Sequence, residues 1–290
     1  MNERFHAGRE FLRREGRLLE RRLFATCFEG ASGRGVIEAL RGYANDDGGF
    51  GHGLEPDKRC PASLPIDVEC ALAAMATAGV TDEPMIQRAC DYLAGVSTGG
   101  AVPLAFPVIE GYPRAEHWAA WAYEPDVNPT AGIAGLLYEL GVAHPWLAEA
   151  ATYTWSRLDE ATLPTDAHAL RTLLTFLAHT PERDRATAAA ATVRAALTSA
   201  AYFNLDPADD SYGLSPLTVA PSADSRWRAL FADEVIEAHL DRMERDQQPD
   251  GGWPIAWDPP GAAARTEWRG IVTLANLRTL VSYGRIVLDG

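Results

Sequence analysis

The pattern that most restricts this chain is a helical run, a loop with paired glycines and an aromatic ring, and a second helical run, used more than once. Residues 233–246 lead into Gln247-Gln248-Pro249-Asp250-Gly251-Gly252-Trp253-Pro254, and residues 267–283 follow. Near the other end, residues 36–44 run into Asp46-Asp47-Gly48-Gly49-Phe50-Gly51, and residues 64–78 follow. A weaker copy, Asp209-Asp210-Ser211-Tyr212-Gly213-Leu214, places Asp210 forty residues before Asp250. Such a repeat builds its core by stacking helical hairpins.

In chain order, residues 3–28 read as one long helix, with Phe5, Leu12 and Leu19 on one apolar stripe. The arginines around the rest of it read as a solvated face paired with carboxylates. Helix 64–78 has almost no polar face, which marks it as buried; Ser63 is a candidate cap and Gly79 a left-handed end. Helices are also expected at 83–93, 130–140, 146–158, 165–179 and 183–200, with a short inner segment at 224–231. Asn128, Pro129 and Gly141 supply the start and stop of the run at 130–140. No β-rich run is long enough to build a sheet. The expectation is an all-α fold: an α/α toroid of about five to six helical hairpins, one domain over residues 1–290, with an N-terminal helix in 1–30 that packs on or closes the ring.

Composition narrows the partners. The formal charge of −14 repels nucleic acid and anionic surfaces. No apolar run is long enough to span a bilayer and the first residues lack a signal-peptide core, so a cytoplasmic protein is expected. Lys58 is the only lysine among many arginines, the codon signature of a GC-rich bacterial genome. Cys27, Cys60, Cys70 and Cys90 have no Cys-x-x-Cys spacing, which leaves four reduced thiols and neither zinc ribbon nor disulfide framework.

The segment Gln247-x-x-x-Gly251-x-Trp253 resembles the QW-type repeat of the terpenoid-cyclase and protein-prenyltransferase α/α toroids. That resemblance implies the toroid and a structural role for Gln247, Phe50 and Trp253. It does not carry the activities over: the Asp-x-Asp-Asp acid of the cyclases is absent, and Asp67, Cys70 and His52 or His117 do not follow the zinc-ligand pattern of the transferases. No metal is expected, and no cofactor is indicated. The Gly-Gly-Trp-Pro loop is also similar to that of pectate-lyase toroids.

Chemistry is expected where loops precede buried helices. Two of these carry Glu-Pro-Asp, giving Glu55, Asp57, Glu124 and Asp126 as candidate catalytic carboxylates. His52, His117, Trp118, Trp121, Trp257, Arg265, Glu267, Trp268 and Arg269 are candidate ligand-binding groups around them. A carboxyl in an apolar pocket serves as a general acid; the same acids also suit helix N-termini as caps. His168 reads as a core histidine or a base. The expected function is a terpenoid-cyclase- or prenyltransferase-like toroid acting on or binding a hydrophobic, isoprenoid-type small molecule in a central cavity, with Arg265 or Arg269 meeting an anionic head group; a carbohydrate-active or carbohydrate-binding toroid and a non-catalytic scaffold are the alternatives. An isoprenoid calls for a deep aromatic-lined cavity, a sugar for a shallow acidic groove with exposed tryptophans, and a non-catalytic scaffold for a filled interior.

Overall fold

The computed structural model describes residues 2–119, 122–160 and 163–288. Among them the chain is all-α: twelve helices and no strand beyond isolated bridges. They are α1 (Glu3–Glu15), α2 (Leu18–Phe28), α3 (Arg34–Leu40), α4 (Pro65–Ala78), α5 (Glu83–Val96), α6 (Val127–Glu139), α7 (Pro145–Asp159), α8 (Ala167–His179), α9 (Arg183–Leu197), α10 (Pro216–Val219), α11 (Asp233–Asp246) and α12 (Ala262–Ser282). None is long and apolar enough to cross a membrane.

Six hairpins account for all twelve. The even-numbered helices α4, α6 and α8 pack side by side; α6 is buried along nearly its whole length. α2 packs on α4, and α12 packs on α1 and α2, so the last hairpin meets the first. The single N-terminal helix expected from the sequence is therefore two. The chain leaves helical geometry at Gly16 (ψ 143°), and Arg17 turns back to pair with Glu20 at 2.7 Å and to donate to the Leu54 carbonyl at 2.8 Å. Phe5, Phe24 and Phe28 fill the angle between the two helices.

The repeat loops share one geometry. Asp47 accepts from Gly49 N at 2.9 Å, Asp209 from Ser211 N at 2.9 Å and Asp250 from Gly252 N at 3.0 Å. The residue equivalent to Asp250 is thus Asp209, not Asp210, and the aromatic positions Phe50, Tyr212 and Trp253 align. Gly48 (φ +90°), Gly100 (φ +84°) and Gly251 (φ +93°) each run beneath the backbone of another hairpin, at Arg88, Glu149 and Ala7. A side chain there is excluded twice, by the positive φ and by that backbone. Trp253, 2% exposed, donates its indole N–H to Met243 O, and Gln247 donates to Arg4 O and Gly251 O.

Several local signals read differently in three dimensions. Ser63 donates to Asp47 at 2.6 Å rather than capping α4. Gly79 ends α4 in the left-handed region as expected. Asp126, not Asn128, caps α6 through Val127 N, and Asp166 caps α8 through His168 N and Ala169 N. The fifth hairpin's second helix is α10, Pro216–Val219, while residues 224–231 hold only a 3-10 turn, because Pro216 and Ser215 start a helix that Pro221 stops. The four cysteines are free thiols.

Gly251→Ala should destabilise the chain by roughly 2–3 kcal/mol, from backbone strain and overlap with Ala7. Urea denaturation measures it; a change below about 0.5 kcal/mol would show that the loop does not press on α1.

Candidate functional site

A loop between the first pair of glycines and α4 carries the best-defined cluster. Lys58 is 1% exposed and lies between two buried acids, with Nζ 2.6 Å from Glu55 Oε2 and 3.5 Å from Asp67 Oδ2. Asp67, in the first turn of α4, also accepts from Glu55 N at 2.7 Å. Burial opposes the ammonium charge, but Asp67 and Glu55 more than offset it and raise the Lys58 pKa. Asp57 is the residue this loop presents.

The Asp57 carboxyl is buried, with two unequal oxygens. Oδ1 accepts the indole N–H of Trp268 at 2.7 Å and of Trp257 at 3.2 Å. Oδ2 takes no hydrogen bond among the described residues and faces His117 Nε2 at 3.7 Å. Its pKa is pushed up to about 7, by burial first and then by the charge of Glu55; the two indoles and Lys58 act against the shift without cancelling it. Backbone bonds from Ala115 N to Asp57 O (2.8 Å) and from Arg59 N to Pro113 O (2.9 Å) bring the 113–117 segment alongside. The His117 imidazole has its pKa lowered, chiefly by burial and also by His168.

Aromatic rings extend the site from there. Trp257 meets Trp268 edge-on at 5.1 Å and Tyr212 edge-on at 5.6 Å. His168 stacks on Tyr212 with planes 15° apart, and its Nε2 is 2.9 Å from the Tyr212 hydroxyl. The other ring nitrogen is 3.3 Å from Asp166, so Asp166, His168 and Tyr212 form a chain of proton-carrying groups. Burial opposes the Asp166 charge, but hydrogen bonds from His168 hold its pKa down; burial and nearby carboxylates push the Tyr212 phenol up to about 12. Tyr202, more than half exposed and in the left-handed region (φ +62°), packs 5.8 Å from Tyr212.

Of the residues singled out in the sequence, Asp57, His117, Trp257 and Trp268 come together, with Glu55 directly behind. Trp118 is buried, its ring 5.4 Å from Lys58 Nζ, and acts as backing. The second Glu-Pro-Asp does not converge on this site: Glu124 and Asp126 are exposed, and Asp126 is occupied as the α6 cap. His52 is exposed and bonded to Asn45 at 2.9 Å. Arg265 pairs with Asp258 on the surface, and Glu267 pairs with Arg59 at 2.6 and 3.2 Å. Arg269 is held by both oxygens of Asp250 and by Trp253 O, leaving little of its guanidinium for a ligand. Trp121 lies outside the described residues. Tyr212 and the Asp166–His168 pair were not among the predicted ligand groups. The signal for Tyr212 was its alignment with Phe50 and Trp253: a polar-tipped ring stands where the other repeats place a buried wedge.

Among the described residues no group of three or more His, Cys, Asp or Glu side chains is placed to hold a metal. A cavity of about 1070 Å³ opens toward the C-terminal ends of the buried helices, lined on α8 by Arg171, Leu174, Thr175 and His179 and on α12 by Asn276 and Thr279. Asp57 is not part of its lining.

No protein-family model matches the chain. No curated protein matches it. Among solved structures it is similar to a protein from Actinoplanes, with a TM-score of 0.57 at 18% identity over 95% of this chain and 98% of that one. At that identity the likeness concerns the fold.

Two outcomes follow from the buried charges. Lys58→Met leaves two buried carboxylates without their cation and should cost roughly 3–5 kcal/mol in urea denaturation; a loss under about 1 kcal/mol would mean the ammonium is not buried between them. Asp57 has a folded pKa above its unfolded one, so between the ordinary carboxylate range and about 7 folding takes up a proton and rising pH lowers stability. Asp57→Asn keeps the acceptor for the indoles but not the charge. Its melting temperature should exceed that of the parent at about pH 8 and match it near pH 4; the same difference at both would contradict the shift.

Proposed function

We propose that the protein is an acid–base enzyme acting on a sugar-like small molecule, with the six hairpins closed into an α/α toroid and Asp57 as the general acid. The contact of the last hairpin with the first supports the closed ring. The observation that carries the chemistry is the Asp57 carboxyl, anchored on one oxygen by two indoles and without a hydrogen bond on the other among the described residues, with its pKa pushed up to about 7. A proton on Oδ2 is then held at neutral pH and given readily to an oxygen of a bound ligand. Anchoring Oδ1 fixes which oxygen carries it, and His117 beside Oδ2 is placed to relay a replacement proton.

The ligand class follows from the walls. Trp257, Trp268, Tyr212 and Tyr202 offer ring faces and edges with polar tips, which suits the mixed apolar and hydroxyl faces of a sugar. An isoprenoid fits less well, because the half-buried polar groups Glu69 on α4 and Arg171 and Thr175 on α8 have no apolar chain to complement. The composition supports a bacterial, cytoplasmic setting.

A panel of aryl glycosides tests the reading. Turnover of at least one is expected, with Asp57→Asn lowering kcat by about 100-fold or more and leaving KM within a few-fold. Trp257→Ala should act chiefly on KM. Turnover that survives Asp57→Asn, or binding of prenyl diphosphates with no sugar bound or turned over, would overturn it.

A further inference from the structure

The Lys58 cluster ties the Asp57 loop to α4, but the indoles that anchor Asp57 come from the other end of the chain, on either side of the start of α12. Among the described residues, the loop at 54–59 is bonded to the last hairpin in two ways. One is the pair of indole bonds from Trp257 and Trp268 to Asp57 Oδ1. The other is Arg59 with Glu267: the guanidinium donates through Nη1 to Oε2 at 2.6 Å and through Nη2 to Oε1 at 3.2 Å. Arg59 is two residues past Asp57, and Glu267 directly precedes Trp268. The ion pair and the Trp268 bond therefore join the same two segments side by side.

Both partners of the pair are held in place. The Arg59 main chain donates to Pro113 O at 2.9 Å, and its guanidinium passes 3.7 Å from where a side chain on Gly53 would begin. Arg17, which reaches the same loop at Leu54 O, is taken by both oxygens of Glu20 at 2.7 and 2.9 Å, so Glu267 is left to Arg59. One hydrogen bond fixes a distance; two parallel ones between a guanidinium and a carboxylate also fix an orientation. A part-exposed ion pair adds little to folding stability, so the consequence of this one is geometric. We infer that Arg59 and Glu267 are a positioning pair, which sets α12 against the loop so that Trp268 meets Asp57 Oδ1 and Oδ2 is left for the ligand. The inference rests on the proposed acid–base reading and adds the residues that aim its acid. Each acts through Asp57 and Trp268 rather than on the ligand.

The test follows the Trp268 indole N–H by nitrogen-15 NMR of the full chain, assigned with Trp268→Phe. In the parent the resonance should move downfield as pH rises through the Asp57 titration at about 7, because an ionised carboxylate is the stronger acceptor. Asp57→Asn should remove that movement, which separates it from titration of His117. Arg59→Met should remove most of it, and should lower kcat on a turned-over aryl glycoside by about tenfold with KM within a few-fold. Arg59→Lys keeps the charge without the second parallel bond and should fall between the two. Glu267→Gln should match Arg59→Met, and the double variant should be no worse than either single one. An indole titration unchanged in Arg59→Met, or single effects that add in the double variant, overturns the inference. So does a lowered melting temperature with the indole titration intact, which marks a pair that only stabilises. If Arg59→Met does not fold, Arg59→Lys and Glu267→Gln give the same readout. Failure of every glycoside to turn over counts against the acid–base reading, while the indole titration still decides the positioning.

Discussion

One buried ammonium, Lys58 between Glu55 and Asp67, fixes the loop on which the site depends. Removing two carboxylates and a cation from water is costly, and their attraction offsets that cost only when geometry is tight. Here the geometry ties three chain positions together: the loop at Glu55, its own next turn at Lys58, and the first turn of α4 at Asp67. Asp57 lies between the tied residues and has little freedom of its own. The same cluster keeps Glu55 close to Asp57, and the Glu55 charge helps to raise the Asp57 pKa. Stability and proton affinity at the site thus share one set of charges.

The repeat supplies the frame for that loop. Each Asp-Gly-Gly turn uses one Asp-to-backbone bond and one positive-φ glycine beneath another hairpin, so the hairpins register on each other through backbone rather than through long side chains. Where the repeat keeps Phe50 or Trp253, the ring is buried and structural. In the copy at residues 209–214 both glycines are replaced, and Tyr212 is 40% exposed, stacked on His168 and edge-on to Trp257. The copy that departs most from the pattern is the one that contributes to the site.

What was legible in the sequence follows from how far each signal reaches. The apolar run of 64–78 and the glycines at 79, 141 and 251 act within a turn or two, and they placed helices and loops well. The break at Gly16 was not legible, because the apolar stripe continues through it and only Arg17, bonding to residues more than thirty positions away, shows the turn. Both Glu-Pro-Asp loops looked alike, yet Asp57 meets two indoles some 200 residues distant while Asp126 caps its own helix. Local spacing cannot distinguish those fates, since the difference lies in which residues the fold brings opposite. For the same reason Arg265 and Arg269 read as available in the sequence and are held by Asp258 and Asp250, while Arg171 has no such partner among the described residues.

The proposed acid–base chemistry requires that Asp57 hold a proton at neutral pH. Carbon-13 NMR of aspartate-labelled protein, titrated in parallel with the Asp57→Asn variant, tests it most directly. One carboxyl resonance should titrate close to 7 and be missing from the variant. If the resonance lost in the variant instead titrates in the ordinary carboxylate range, near about 4, Asp57 is ionised at neutral pH and does not serve as the acid.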